Sequence, residues 1–485
     1  MDYNSTIMNL RYENVLLQDL NIQCFFIFLS LTTFFGIAFT PTFMKKVINP
    51  IRIRVNNILS GMSYIVETNS FDPYFSGYSL NAFQSTKPIT NVSPGPTQFP
   101  KVLLHQIKED LMNSQHGISP LEISHRSPEF AHILSSVDEN MKKLMKIPNE
   151  FTILWTHGGG HGQFSAVPLN LIPLISNNKR ANYMVSGTWS QRAFDEACKV
   201  TNAYDSFNLD PPSIKHKSIS ADHLKITDND AYVYFCSNET VNGTEFRKDG
   251  IPYPCRDTLK TARSIIDMSS DFTMKKIDWT RVDVAFACTS KNLGLAGATV
   301  TIIRTELLDS IEYNKSNYIP SIMDWKLYYN TNSLYNTPAV YNIYIVDKFL
   351  KYYIKKGGID VLEEESKIKS SIIYELLDES SFYSSLVSDK LSRSNINIPF
   401  FVGDGNREIR SKFLHFCYMN NIVGLRTKTP FRYHDYNMIE PLRVNLYNGV
   451  SIDETKKLVN VMKRFEVLFQ SLHSKDMEVN GVFGD

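Results

Sequence analysis

The sequence has almost no net charge: 51 lysines and arginines face 50 aspartates and glutamates, leaving +1. A polyanion selects a basic face, so no nucleic-acid partner is expected, and nothing in the overall balance asks for an anionic membrane surface. Cysteine is sparse and scattered, at Cys24, Cys198, Cys236, Cys255, Cys288 and Cys417, with no C-x-x-C pair. That spacing encodes neither a zinc site nor a disulfide framework, so no metal is expected and the six read as reduced thiols of an intracellular protein. Internal repeats and low-complexity tracts are also missing. What is present is ordinary for a globular protein: 43 % hydrophobic, 12 % aromatic and 21 % charged residues over 485 positions. The aromatic content and balanced charge exclude disorder for the bulk of the chain. At about 150 residues per domain the length suggests roughly three domains.

Long hydrophobic runs are lacking too, with one exception. No charge occurs from Leu20 to Met44, and Cys24 to Ala38 is nearly all apolar. At about 1.5 Å per residue this run could span a bilayer, and it also suits the apolar core of a signal peptide. Gly36-Ile-Ala38 supplies the small residues signal peptidase accepts, although Asp2, Glu13 and Asp19 outnumber Arg11 ahead of it. Lys45, Lys46, Arg52 and Arg54 follow, with no acid until Glu67, as in an organelle transit peptide. The two parts together resemble the leaders of proteins imported into complex plastids. Residues 1–85 are therefore expected to be a targeting leader and linker, and the protein to reside in an organelle, a plastid by this reading. The alternatives are a retained membrane anchor or a cytoplasmic protein. Membrane contact is expected only through an uncleaved leader.

Beyond the leader, Ser93-Pro-Gly-Pro-Thr-Gln-Phe-Pro100 cannot be helical. Val102, Leu103, Ile107 and Leu111 then recur at helical spacing, and Phe130, Ile133, Leu134, Val137, Met141, Leu144 and Met145 mark a second amphipathic helix. Short apolar runs at 151–155, 231–235, 264–267, 282–286 and 300–303 predict strands separated by crossover-length segments. That alternation predicts an α/β domain with a largely parallel sheet. After Asn336-Thr-Pro338 the pattern changes to a long helix over about 340–380, strands near 398–401 and 443–446, and a last helix over about 453–472. The expected division is a large domain over 86–342, whose first residues pack on the small domain, and a smaller α+β domain over 343–485.

Three signals carry chemistry. Gly158-Gly-Gly-His-Gly-Gln163 lies between a predicted strand and a helix, where bare amides bind phosphate; a tight, closely packed turn would select the same glycines. Lys291 follows an apolar strand and precedes a glycine-rich segment, a setting in which its pKa can fall and its amine can form a Schiff base; a solvated surface lysine is the bland alternative. Asp267 ends another strand, where it could pair with the ring nitrogen of a pyridine cofactor or simply cap a helix. A phosphate cradle, a ring-nitrogen acid and a Schiff-base lysine in that order meet one requirement, that of pyridoxal 5′-phosphate.

Between Asn91 and Leu468 the chain resembles the phosphoserine aminotransferase family, class V and fold-type I among the pyridoxal phosphate enzymes. The resemblance rests on Ser93-Pro-Gly-Pro96, Glu122-Ile-Ser-His-Arg126, Gly158 to Leu171, Asn238-Glu-Thr240, Asp267-Met-Ser-Ser270, Ser290-Lys-Asn292, Ser333 to Pro338 and Arg443-Val-Asn-Leu-Tyr-Asn448. It implies a fold-type I α/β transferase with a large, mainly parallel-sheet domain and a smaller α+β C-terminal domain. It also implies catalysis by Lys291 and Asp267, with Trp189 stacked on the cofactor ring and Thr240 near its phenolic oxygen. Gly160, His161 and Ser290 would serve the phosphate, joined by Asn336 and Thr337 from the other subunit of a homodimer. His125, Arg126 and Arg443 would bind substrate. The implied small-molecule substrates are phosphoserine, glutamate and their 2-oxo acids, in serine biosynthesis.

Two departures stand out. Ser290 occupies the place where the family usually has Gln, a longer reach to the phosphate. The family's short His-Arg-x-x-Gly-Gly-x-Arg run is replaced by a longer, glycine-free stretch from Arg426 to Arg443, in which Lys428, Arg432 or His434 could grip a substrate phosphate. That stretch keeps two alternatives open: a fold-type I enzyme with a different amino substrate, or a non-catalytic binding relative of the fold.

Overall fold

The computed structural model describes residues 88–112, 117–175, 179–207, 224–247, 253–254, 256–310, 319–425 and 441–480. The leader and the basic residues Lys428, Arg432 and His434 lie outside the described residues.

Apolar runs become the strands of a seven-stranded sheet. In chain order they are β1 (Phe151–His157), β2 (Arg180–Met184), β3 (Ala203–Asp205), β4 (Asp230–Cys236), β5 (Arg263–Asp267), β6 (Val284–Cys288) and β7 (Ala298–Arg304). Their spatial order is β1-β7-β6-β5-β4-β2-β3. Pairing is parallel from β3 through β6, while β7 runs antiparallel to both β6 and β1. The reversal follows from chain length. Residues 289–297 are all that join β6 to β7, and a parallel return needs a crossover of a dozen or more residues. β2 and β3 went unpredicted because they are short and mixed in composition, with neither alternation nor a continuous apolar run.

The pleat divides the strands' side chains between two cores. Tyr232 and Tyr234 of β4 join Phe164, Val167 and Trp325 on one face, while Val233 and Phe235 join Phe130, Val137, Phe349 and Leu350 on the other. A strand buried on both faces must be apolar throughout, which is why these runs stood out in the sequence. Helices cover both faces: α1 (Lys101–Met112), α2 (Pro128–Met145), α3 (Gly159–Ile175), α4 (Thr188–Ala197) and α5 (Val340–Lys356). Ser127 caps α2 by accepting from the Phe130 amide at 3.3 Å, Pro128 opens the helix, and the expected stripe faces the core. In α1, Leu103 and Ile107 are buried, but Val102 is exposed, one residue out of step with the i, i+4 stripe.

The single long helix expected over 340–380 is instead two, α5 and α6 (Gly358–Glu379). Gly357 separates them at φ +123, and a Cβ there would stand 2.5 Å from Val361 Cγ2. Only glycine fits this turn. The C-terminal part of the chain has a three-stranded antiparallel sheet, β8 (Tyr383–Ser385), β9 (Asn397–Val402) and β10 (Leu442–Asn445), with α7 (Arg407–Met419) and α8 (Ile452–Asn480). Thr90–Asn91 pairs in parallel with Ile422–Val423, which places the start of the described chain beside this C-terminal part.

Candidate active site

Three neighbouring parallel strands, β4, β5 and β6, end side by side, and the chemistry-bearing residues lie just past their carboxyl ends. In open α/β sheets this is the edge where ligands bind. Asp267 is the last residue of β5. Lys291 lies in the turn after β6, and Thr240 in a hairpin after β4 whose strands are Asn238–Glu239 and Thr244–Glu245.

The turn holding Lys291 is pinned on either side of the reactive group. Thr97 Oγ1 donates to the Lys291 carbonyl at 2.5 Å, Tyr353 donates its hydroxyl to the Asn292 carbonyl at 2.8 Å, and the Asn448 amide donates to Asn292 Oδ1 at 3.1 Å. The side chain itself is engaged lightly. Lys291 Nζ donates to Thr240 Oγ1 at 3.0 Å and stands 5.8 Å from the centroid of the Trp189 ring. Burial works against its charge, but Tyr447, Cys288, Asp267 and Cys236 outweigh burial and raise the amine above the ordinary lysine value. The lowered pKa expected from an apolar setting is therefore corrected. The strand before the lysine is apolar, but the groups gathered around its amine are not.

Asp267 is buried, with Oδ1 accepting from the Ser269 amide at 2.8 Å and Oδ2 only 3.5 Å from the Tyr234 hydroxyl. Among the described residues no cation forms an ion pair with it. Burial raises its pKa, against the lowering effect of the Ser269 hydrogen bonds. A buried carboxylate in this condition lacks a positive partner, and a protonated ring nitrogen is one.

The phosphate end lies beyond β1. A Cβ on Gly162 would stand 2.6 Å from the His157 carbonyl, so the glycine run does make a close turn. It also opens α3, whose first amides have no acceptor within the helix. The close turn and the acceptor-free amides occur on the same residues. His161 is lowered by partial burial first and by Arg192 second, so its imidazole favours the neutral form rather than adding positive charge. The fixed cation nearby is Arg192, 5.0 Å from the Trp189 ring centroid. Ser290 Oγ lies 3.4 Å from Cys288 Sγ. Ser269, which the sequence did not single out, accepts from the Cys288 amide at 3.2 Å and would touch a Cβ on Gly160 at 3.5 Å.

Arg443 enters from β10. It is buried, donates from Nη1 to the Thr240 carbonyl at 2.5 Å, and leaves Nε without an acceptor. Burial pushes its pKa down to about 10, and no carboxylate among the described residues pairs with it. A desolvated guanidinium with free donors is a receptor for a carboxylate ligand. Thr240 thus touches Lys291 through its hydroxyl and Arg443 through its carbonyl.

Four expected site residues share no hydrogen bond or ion pair with the Lys291 cluster among the described residues. His125 is partly buried and Arg126 exposed. Asn336 contacts Tyr328 and His157 at 3.2 and 3.3 Å, and Thr337 is exposed.

The residues present fit pyridoxal phosphate: an amine for its aldehyde, an unpaired buried acid for its ring nitrogen, an aromatic face, and helix-terminal amides for its phosphate. The class-V aminotransferase profile matches residues 89–458, and the chain belongs to that family. Within it the similarity is to phosphoserine aminotransferases. The chain is 34 % identical over 382 residues to a probable phosphoserine aminotransferase of Caenorhabditis elegans, covering 78 % of this chain and 97 % of the relative. It is 32 % identical over 391 residues to the Bacillus cereus enzyme, with 78 % and 98 % covered. Among solved structures, pyridoxal phosphate-bound phosphoserine aminotransferase from Trichomonas vaginalis superposes with a TM-score of 0.69 at 30 % identity, covering 78 % of this chain and all of that one. The Bacillus circulans enzyme gives a TM-score of 0.67 at 28 % identity, with 78 % and 98 % covered. The cofactor of this chain is pyridoxal phosphate.

Proposed function

We propose that this chain is a phosphoserine transaminase of serine biosynthesis. It transfers the amino group of glutamate to 3-phosphohydroxypyruvate, giving O-phosphoserine and 2-oxoglutarate in two half-reactions that share one site. The observation that carries this reading is the meeting of Lys291 and Arg443 on Thr240, with the Trp189 ring 5.8 Å from the lysine amine and Asp267 among the charges that act on that amine, in a chain that covers 97 % of a phosphoserine aminotransferase relative.

Pyridoxal phosphate supplies an aldehyde and an electron-withdrawing ring. Lys291 Nζ would hold the cofactor at its aldehyde and would move the proton that leaves the substrate's α-carbon. Asp267 holds a proton on the ring nitrogen. Trp189 fixes the plane of the ring, Thr240 Oγ1 orients its phenolic edge, and the Gly160 and His161 amides with Ser290 bind the phosphate. Arg443 takes the α-carboxylate of either amino acid. Because Arg443 and Lys291 both contact Thr240, the α-carbon is placed beside the amine that deprotonates it. Ser290 reaches less far than glutamine, which weakens phosphate anchoring by about 1–2 kcal/mol.

The test follows each half-reaction separately by the absorbance of the bound cofactor. Glutamate and phosphoserine should each convert it to the amino form. Conversion by glutamate alone would point to a different amino substrate, and conversion by neither would sink the assignment. Arg443→Ala should raise KM for both amino acids by roughly 10–200-fold, the loss of about 1.5–3 kcal/mol from hydrogen bonds to a charged group. Its cofactor spectrum should stay unchanged.

A homodimer is part of the proposal. Asn336 and Thr337, and with them His125 and Arg126, belong to the resembling motifs yet make no hydrogen bond to Lys291 in their own chain. Exposed Ile118, Leu121 and Tyr335 lie on the same segments. Lys291→Ala and Thr337→Tyr subunits, each inactive alone, should recover part of the activity when mixed. Sedimentation as a monomer at working concentration would rule this out. Residues 1–85 are proposed to direct the protein to a plastid and to be removed there. N-terminal sequencing of the native protein decides this, and a mature chain that still begins ahead of Cys24 would exclude it.

A further inference from the structure

The residue between Asn238 and Thr240 has no part in the chemistry above, yet it is the best-connected carboxylate near the site. Glu239 is 1 % exposed. Its Oε2 accepts from the Trp189 amide at 2.9 Å, and its Oε1 accepts from the Ser190 amide at 2.9 Å and from Ser190 Oγ at 2.6 Å. These amides belong to the first turn of α4, which lacks intrahelical acceptors. The helix cannot cap itself, because Gly187 stands at its N-cap and has no side chain. A Cβ there would lie 2.6 Å from Glu239 Cδ and 2.7 Å from Asn242 Oδ1, so the hairpin's own side chains fill the cap position. Asn242 completes the arrangement by accepting from the Thr188 amide at 2.9 Å and from Thr188 Oγ1 at 3.0 Å.

The hairpin 238–245 therefore holds two halves of the site at once. Through Glu239 it grips the backbone of Trp189. Through the adjacent Thr240 it meets Lys291 and Arg443. A negative carboxylate at a helix N-terminus is favoured by the helix dipole, and three donors to one ionised group make short, directional bonds. We propose that Glu239 is a positioning residue: it sets the Trp189 ring against Lys291, and so fixes the slot into which the cofactor ring is stacked. This inference rests on the reading of the Lys291 pocket as the cofactor site and adds to it a residue that touches neither cofactor nor substrate.

The test is a double-mutant cycle on cofactor binding, read as the dissociation constant of pyridoxal phosphate by absorbance titration of cofactor-stripped protein. Glu239→Gln keeps the shape, but turns an amide NH2 toward a backbone N–H. It should weaken cofactor binding about tenfold in the wild-type background and less than threefold when Trp189 is already alanine. Residues acting through one another are non-additive in this way, whereas an effect on general stability would appear in full in both backgrounds. Equal effects in the two backgrounds would overturn the proposal, as would wild-type affinity in Glu239→Gln. If Glu239→Gln does not fold, Ser190→Ala, which removes only the 2.6 Å contact and the other bonds of that hydroxyl, is taken through the same cycle with an expected loss of two- to fivefold and the same criterion. A Trp189→Ala protein that binds cofactor as the wild type does would instead show that the ring does not stack there. That result removes the site reading and this inference together, whereas additivity removes this inference alone.

Discussion

Lys291→Ala should leave a folded protein that cannot transaminate. The turn that carries the lysine is held by its backbone and its neighbours, through Thr97, Tyr353 and Asn448, and not by the amine. Removing the side chain deletes one hydrogen bond, to Thr240. The same deletion removes the group that binds the cofactor aldehyde and the base that moves the α-proton. General-base loss alone costs about 10²–10⁴ in rate, and loss of the covalent link adds to it, so turnover should drop by at least 10⁴. Thermal melting and far-UV circular dichroism should match the wild type. Measurable steady-state turnover near the wild-type level would show that another residue does the chemistry.

Asp267→Asn should separate activity from stability. The amide is isosteric and its oxygen can still accept from the Ser269 amide, but it cannot hold a proton on the cofactor's ring nitrogen. The preorganised charge is then missing where electrons collect, and comparable losses run to about 10²–10³ in kcat. The effect should appear in kcat and in kcat/KM alike, because the interaction strengthens in the transition state. Stability should move the other way. Burial raises the Asp267 pKa above that of the unfolded chain. The folded chain therefore binds more protons than the unfolded one as pH passes upward through that window, and stability falls there. A permanently neutral asparagine escapes this loss. Cofactor-free Asp267→Asn should melt at or above the wild-type temperature at neutral pH. A large drop in its melting temperature, or a change confined to cofactor affinity, would contradict the assigned role.

The chemistry was legible where it is written locally. Lys291, Asp267 and the glycine run each announce themselves by residue type at the end of an apolar run, and the ends of buried strands are where a doubly covered sheet presents its ligands. Glu239 lay in view inside Asn238-Glu-Thr240, but nothing in the sequence links it to Trp189, which is 50 positions away. The same holds for Arg443 and Thr240, separated by 203 positions. Partial burial and Arg192 lower the His161 pKa, a shift invisible in the sequence, because a pKa is a sum over surroundings that only the fold assembles.

By itself the sequence determined five of the seven strands of the large sheet, the buried face of α2, the α/β class and the candidates for the reactive side chains. Each depends on residue type and on spacing within one element, and periodicity is a local property. The tertiary structure decided the direction in which the surroundings shift the Lys291 amine and the His161 imidazole, and the use of one hairpin to hold Trp189, Lys291 and Arg443 together. Those outcomes depend on which distant segments meet and on how much water is left between them, and neither is encoded in any single stretch of chain.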